Sequence, residues 1–204
     1  MPNTVKKDFF DEDFYKHGKG GGHIRLYPKK SGYGDRLGDC FRGVPPETTI
    51  LDIGGGLGQR AIVYGEAIGC DPYEMDISKW AWENSDLPKN KHFCSDILDA
   101  GPNIGMFDIV NLERAVTYLD PQHYEKAITN AVSMCKQWFV FNDITEDHLD
   151  QGLVVGALRS RKYVPPRKMF LNIFDKLPLK IDMAKCAIMR RDGWDCIWVF
   201  EVKR

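Results

Sequence analysis

A glycine-rich turn after a short apolar run is the part of this sequence whose residue types best suit ligand binding. The run Thr49–Ile53 leads into Gly54, Gly56 and Gly58, which alternate with other residues. Glycine allows positive φ angles and lets the backbone approach a ligand closely. A helix predicted over Gln59–Ile68 would direct its free N–H groups toward the same place. The pattern therefore predicts a binding turn between a strand and a helix.

Two acidic residues flank this turn. Asp52 precedes it, and Asp76 follows Gly58 by eighteen positions, at the end of a strand predicted over 73–76. A carboxylate about 20 residues beyond such a turn is where dinucleotide-type sites hold ribose hydroxyls. Asp71 is a rival, but the spacing and the helix cap offered by Ser78 favour Asp76. Turn and acid together predict a ligand with an adenosine-like part.

Two cofactors fit this prediction. The glycines and Ala61 loosely match the dinucleotide fingerprint of NAD enzymes, which is a weak signal on its own. Asp52 favours S-adenosylmethionine, because a carboxylate attracts its ammonium and sulfonium groups and would gain little beside a pyrophosphate. A purely structural role for Asp52, as a hydrogen-bond partner of the turn backbone, stays open. An NAD-dependent oxidoreductase is the second interpretation.

The combined motifs resemble those of class I (Rossmann-like) S-adenosylmethionine-dependent methyltransferases over residues 48–142. The resemblance implies that Asp76 meets the ribose hydroxyls and that Asp96 meets the adenine amino group. Gly55 stands where the family often has Cys or Ala, which we interpret as added flexibility. The cofactor-binding residues implied by the resemblance are Asp52, Gly54, Gly56, Gly58, Asp76, Ile77, Asp96, Ile97 and Glu113.

Strand and helix patterns alternate after residue 48. Strands are predicted over 49–53, 73–76, 91–95, 106–112 and 138–141, and helices over 59–68, 79–84 and 121–135, with another opened by Pro165 or Pro166. The end of the chain predicts strands over 181–189 and 194–202 joined by a tight turn at Asp192 and Gly193. The expected fold is α/β, with a Rossmann-like, mostly parallel seven-stranded sheet, helices on both faces and a C-terminal antiparallel hairpin.

The domain organisation predicted is an N-terminal arm rich in Gly and Tyr over 1–47 and a methyltransferase domain over 48–204. The arm is either a floppy tail or a lid over a ligand, with Tyr15, Tyr27 and Tyr33 as contacts. Within it, residues 33–41 predict a short helix with Leu37 and Phe41 facing inward.

Methyl transfer needs an aligned nucleophile, excluded water and, for a hydroxyl acceptor, a general base. His148, just past the fifth strand, is the first candidate base, and Glu113 and Asp143 are alternatives. The alternative interpretation of His148 is an ordinary exposed loop histidine. Arg159 and Arg161 belong to a basic loop that is either simply solvated or a clamp for an anionic acceptor.

The composition excludes some function classes. There are 28 basic and 29 acidic residues, so no overall field draws the chain to nucleic acid. The six scattered cysteines lack the spacing of a structural zinc site, and we expect no metal. The sequence has no signal-peptide pattern and no run of about 18 apolar residues, which predicts a cytoplasmic protein without a membrane partner.

The predicted activity is methyl transfer to an oxygen, or a nitrogen, of a small molecule, with an anionic or sugar-like acceptor favoured by the basic loop. An RNA methyltransferase that uses the basic loop over 159–168 is an alternative. A module that binds the cofactor without chemistry is another.

Overall fold

The computed structural model describes residues 7–17, 32–146, 163–191 and 197–203. Within them, seven strands form one sheet: β1 (Thr49–Ile53), β2 (Asp71–Asp76), β3 (His92–Cys94), β4 (Phe107–Glu113), β5 (Cys135–Asn142), β6 (Leu179–Ile181) and β7 (Ile197–Val202). Their order is β3-β2-β1-β4-β5-β7-β6. The strands from β1 to β5 pair in parallel, and β7 is antiparallel to both β5 and β6. This is the mostly parallel α/β sheet with a C-terminal antiparallel pair that the sequence predicted.

Helices connect the strands. The α-helices in the described residues are α1 (Glu12–His17), α2 (Gly32–Cys40), α3 (Gln59–Ile68), α4 (Lys79–Glu83), α5 (Tyr124–Ser133), α6 (Arg167–Phe174) and α7 (Met183–Arg190). Short 3-10 turns lie at Lys7–Phe9, Lys89–Lys91, Val116–Tyr118 and Pro121–His123. None of the helices in these ranges is long and apolar enough to cross a membrane.

The central strands are buried because helices cover both faces of the sheet. On one face, Ile50 of β1 and Ile109 of β4 pack in a cluster with residues of α2, α3 and α7. On the other face, Leu51 and Val110 pack with residues of α5 and α6. Side chains of a strand alternate between faces, so the central strands β1, β4, β5 and β7 contribute to both clusters. Continuous apolar runs, as in β5, are what a strand buried on both faces requires.

Several predicted elements are confirmed. The first strand and the helix after it have the predicted bounds, Thr49–Ile53 and Gln59–Ile68. Helix α2 forms within the predicted arm, and Leu37 and Phe41 are 0% and 1% exposed, so this part packs into the main core. The helix opened by a proline also forms, with Pro166 as its N-cap.

The C-terminal pair forms differently from the prediction. The antiparallel pairing of β6 and β7 is confirmed, but a strand over 181–189 is wrong, since α7 occupies Met183–Arg190. Asp182 caps this helix by accepting a hydrogen bond from the Lys185 N–H at 2.9 Å. The predicted turn at Asp192 and Gly193 lies outside the described residues. The predicted helix over 121–135 is shorter than expected, because Cys135 already begins β5.

Candidate cofactor site

The glycine turn between β1 and α3 has the conformation that its sequence predicted. Gly54, Gly56 and Gly58 have φ angles of 80°, 68° and 82°, a region that side chains disfavour. The N–H of Gly54 donates to the carbonyl of Met75 on β2 at 2.8 Å, which ties the turn to the neighbouring strand. Gly58 is the N-cap of α3. The turn therefore lies at the carboxyl edge of the sheet, where α/β proteins bind ligands.

Asp76 lies at this turn, at the end of β2. Its Oδ2 accepts a hydrogen bond from the Gly56 N–H at 2.9 Å, and its Oδ1 accepts one from the Ser78 N–H at 2.8 Å. Asp71 lies at the other end of the same strand, beside Thr49, and forms an ion pair with Lys91. The direction of β2 thus brings Asp76, and not Asp71, to the glycine turn.

Asp52 lies beneath the turn and is fully buried. Its Oδ1 accepts a hydrogen bond from the Asn111 amide at 2.7 Å, and its Oδ2 lies 3.2 Å from Nε of Arg60 on α3. Burial raises the pKa of Asp52 to about 6, against the opposing effect of the Arg60 charge. Asp52 therefore lies beneath the turn, where it could influence a ligand only through the turn and through its charge.

Glu113, at the end of β4, belongs to the same buried group. Its Oε2 accepts hydrogen bonds from the Tyr64 hydroxyl at 2.7 Å and from Nη1 of Arg60 at 3.3 Å. Nη2 of Arg60 donates to the carbonyl of Gly54 at 3.0 Å. Tyr33, predicted as a ligand contact of the arm, is instead packed in this core and donates to Asn111 at 2.9 Å. The group holds the turn from below.

Glu74 is a further buried carboxyl group that the sequence analysis did not identify. Its Oε1 accepts a hydrogen bond from the Gly55 N–H at 2.6 Å. A Cβ atom on Gly55 would lie 2.1 Å from Glu74 Oε2 and 2.4 Å from Asp52 Oδ2. Gly55 has no positive φ, so space and not flexibility requires a glycine here. Burial, and then the neighbouring Asp52 charge, raise the pKa of Glu74 well above its usual range.

Four carboxyl groups thus surround one guanidinium, that of Arg60. They belong to Asp52, Glu74, Asp76 and Glu113, and each is at most 7% exposed. Burial weakens screening by water, so any charge that these carboxyl groups carry beyond that of Arg60 acts strongly at the turn, and because the pKa values of Asp52, Glu74 and Asp76 are raised, this negative charge grows as the pH rises. Such a charge favours a cationic ligand over a diphosphate at the turn.

The predicted adenine end of the site lies beyond β2 and β3. Ile77 follows β2, Asp96 and Ile97 follow β3, and all three are half-buried. Oδ1 of Asp96 accepts a hydrogen bond from the Leu98 N–H at 2.9 Å, and the Asn130 amide of α5 donates to the carbonyl of Ile97 at 2.8 Å. These bonds fix the turn after β3 at the carboxyl edge of the sheet.

The exit of β4 is held against β5 by Asp143. Its Oδ1 accepts hydrogen bonds from the Thr117 hydroxyl and the Ile144 N–H, both at 2.7 Å. Its Oδ2 accepts one from the Thr117 N–H at 3.1 Å. Arg114 in the same exit has a φ of 54°, the one positive φ of a non-glycine residue in the described ranges. Strain of this kind is concentrated at functional sites.

Several predicted site residues lie outside the described residues: Tyr27, His148, Arg159 and Arg161. Arg167 and Lys168, at the end of the predicted basic loop, lie on α6. The guanidinium of Arg167 packs over the Trp198 ring, 5.4 Å from the centroid. Tyr15, predicted to contact substrate, lies instead on the glycine turn, 7% exposed.

Comparisons with solved structures identify the fold. The magnesium protoporphyrin IX methyltransferase ChlM of Synechocystis PCC 6803 was solved with bound S-adenosylmethionine (SAM). It matches with a TM-score of 0.62 and 12% identity over 98% of this chain and 99% of that one. The plantazolicin methyltransferase BpumL, in complex with a pentazolic desmethylPZN analog and S-adenosylhomocysteine (SAH), matches with a TM-score of 0.63 and 12% identity over 88% of each chain. This chain has the Rossmann-like class I methyltransferase fold.

The mitomycin 7-O-methyltransferase MmcR shares the class I methyltransferase fold, with a TM-score of 0.56 and 13% identity over 84% of this chain and 53% of that one. No protein-family model and no curated protein sequence matches the chain. At these identities, the likeness extends to the fold alone.

Proposed function

We propose that this protein is an S-adenosylmethionine-dependent methyltransferase that transfers a methyl group to an oxygen, or a nitrogen, of a small molecule. The observation that carries the proposal is the turn of three positive-φ glycines beside the Asp76 carboxyl group, above a buried group of carboxyl side chains with a single guanidinium. The same elements discriminate against NAD, whose pyrophosphate would add two negative charges to this place.

The residues of the site match the chemical groups of the cofactor. Asp76 would accept hydrogen bonds from ribose hydroxyls, and Asp96, with Ile77 and Ile97, would hold the adenine. The glycine turn leaves the backbone open to the amino-acid portion, and Asp52 and Glu113 supply the field that favours its ammonium group. When bound, S-adenosylmethionine would supply an electrophilic methyl group on a sulfonium.

The remaining work of the protein is to position the acceptor and to take up its proton. Both oxygens of Asp143 and Oε2 of Glu113 accept hydrogen bonds from buried groups, so we assign these residues positioning roles at the exits of β4 and β5. His148 is the proposed general base, and Arg159 and Arg161 the proposed contacts of an anionic acceptor. A His148→Ala variant should retain SAH affinity and lose turnover.

A small-molecule acceptor is supported by the fold neighbours named above, which by their names act on a porphyrin, a mitomycin and plantazolicin. Oxygen is favoured over nitrogen because a hydroxyl is the acceptor for which a base such as His148 is needed.

Isothermal titration with SAM, SAH and NAD tests the proposal. We expect SAM and SAH to bind and NAD not to bind. An Asp76→Ala variant should lose affinity for SAH by tenfold or more, since a hydrogen bond to a charged group contributes about 1.5–3 kcal/mol.

Asp71→Ala is the matched control, because it removes the same side chain from the other end of β2. It should bind SAH as the parent protein does. Equal SAH affinity in the Asp76→Ala and Asp71→Ala variants would refute the ribose assignment, and binding of NAD alone would replace the proposal with an oxidoreductase.

A further inference from the structure

Helix α1 and the residues before it lie across the glycine turn. We call residues 7–17 the cover segment. Within it, Phe14 and Tyr15 are 5% and 7% exposed. A Cβ atom on Gly56 would lie 2.9 Å from Cε1 of Tyr15, so the tyrosine ring touches the turn backbone. The ring also stacks on Trp80 of α4, with centroids 5.4 Å apart and an angle of 18° between the planes.

The hydroxyl of Tyr15 lies beside the carboxyl group proposed for ribose. A Cβ atom on Gly56 would lie 3.3 Å from this hydroxyl, and Asp76 accepts the N–H groups of Gly56 and Ser78 at the same place. Burial and the nearby charges of Asp76 and Glu74 raise the pKa of Tyr15, so the phenol stays protonated and can donate. A phenol O–H on this carboxylate has the same chemistry as one hydroxyl of a ribose.

Two further contacts hold the cover segment in place. The hydroxyl of Ser78, which lies just after β2, donates to the carbonyl of Phe10. The Phe10 ring meets Tyr118, in the exit of β4, edge-on with centroids 5.5 Å apart. The segment therefore bridges the two strand exits between which a nucleoside would enter.

We infer that the cover segment is a self-inhibiting occupant of the nucleoside site, in which the Tyr15 hydroxyl takes the place of a ribose hydroxyl on Asp76 and must leave when the cofactor binds. The inference rests on the proposed function. It differs from a lid that closes over bound cofactor, since the segment here competes with the ligand. Because the binding-competent state is then only a fraction of the population, the apparent affinity for cofactor is reduced by that fraction.

The test compares Tyr15→Phe with Tyr73→Phe. Both changes remove one hydroxyl, but Tyr73 lies on β2 and stacks on Phe93, away from Asp76. Isothermal titration with SAH should give about 10- to 150-fold tighter binding for Tyr15→Phe than for the parent, as expected when one charge-assisted competing bond is removed. Tyr73→Phe should match the parent. Equal or weaker binding by Tyr15→Phe would overturn the inference and leave the proposed function standing.

Hydrogen exchange provides a readout without any ligand. In the unliganded protein, Tyr15→Phe should speed amide exchange in peptides covering residues 12–17, and Tyr73→Phe should not. Adding SAH to the parent should also speed exchange there, because the segment is displaced. Slower exchange with SAH would identify a closing lid and overturn the inference. If no variant binds SAM or SAH at all, the proposed function fails, and the inference fails with it.

Discussion

Gly55 lacks a side chain because two buried carboxyl groups occupy the space that one would need. A Cβ there would lie 2.1 Å from Glu74 and 2.4 Å from Asp52, neither of which has room to move in the core. We expect Gly55→Ala to lower the free energy of unfolding by about 1–3 kcal/mol, the usual cost of overpacking. Denaturant unfolding followed by circular dichroism measures this change.

Gly101→Ala is the control, since a Cβ atom on Gly101 would lie at an ordinary 3.4 Å from its nearest neighbour, Oδ1 of Asn103, and the φ angle of Gly101 is not positive. It should change stability by less than about 0.5 kcal/mol. In a double-mutant cycle, Glu74→Ala should recover part of the Gly55→Ala loss. Additive losses would mean that steric contact with Glu74 is not the reason for the glycine.

His92 should make the protein sensitive to mild acid. Its ring is 1% exposed, neither ring nitrogen has a hydrogen-bond partner, and burial, with the Lys89 charge, lowers its pKa to about 4. Below pH about 6.5, His92 binds a proton in the unfolded chain but stays neutral in the folded protein until the pH reaches about 4. The free energy of unfolding therefore falls as the pH drops toward 4.

We therefore expect His92→Phe to lose less stability than the parent between pH 7 and pH 5, by up to about 2 kcal/mol. His123→Phe, at a half-exposed position, controls for the loss of a histidine. Parallel stability curves for His92→Phe and the parent would contradict the buried neutral imidazole.

The residues that sequence reasoning missed are polar groups inside the fold. Asp76 and the three glycines could be recognised because their types are restricted by backbone conformation and spacing. Arg60 and Glu74 could not, because charged residues are expected at the surface. One signal was present: Glu74 and Asp76, like Asn111 and Glu113, are two apart on buried strands and so share a face.

At the scale of elements, the caps of α4 and α7 can be compared directly. Ser78 caps α4 by accepting from the Ala81 N–H at 3.0 Å, and Asp182 caps α7. Ser78→Ala and Asp182→Ala should each lower the free energy of unfolding by about 1 kcal/mol. Ser78 also donates to Phe10, so Ser78→Ala alone should speed hydrogen exchange in residues 7–17. The same exchange rate in both variants would show that this bond does not hold the cover segment.

Elements bounded by glycine or proline were predicted well, because those residues mark the ends of strands and helices whatever lies around them. The failure over 181–189 has a local cause. Its frequent apolar residues fit a strand, but Asp182 is a helix cap, and Cys186 and Met189, three apart, are the buried face of α7. Giving weight to the cap would have identified the helix.

At the scale of the whole molecule, the path of the cover segment could not be predicted. Its contacts join residues far apart in the sequence, such as Phe10 with Tyr118 and Tyr15 with Trp80. No local pattern encodes such pairs. The mostly parallel sheet, in contrast, could be predicted from the alternation of strands and helices together with the family resemblance, because strand–helix–strand units place their strands in parallel.

The buried carboxyl groups should also make the choice between SAM and SAH depend on pH. These ligands differ by one methyl group and the positive charge on sulfur, so the ratio of their affinities isolates that charge. The pKa of Asp52 is raised to about 6, so Asp52 loses its proton as the pH rises from 5 to 7. A cation favours the ionised form, and the preference for SAM should therefore increase with pH.

Over a separation on the order of 10 Å, the added attraction is about 1–2 kcal/mol at an effective dielectric constant of about 20, which corresponds to a change of about tenfold in the ratio. Titrations with SAM and SAH at pH 5, 6 and 7 measure it. Asp52→Asn should flatten the dependence, and Asp71→Asn, at the far end of β2, should leave it intact. A ratio that stays constant with pH in the parent would mean that the field of this carboxyl group does not reach the sulfonium.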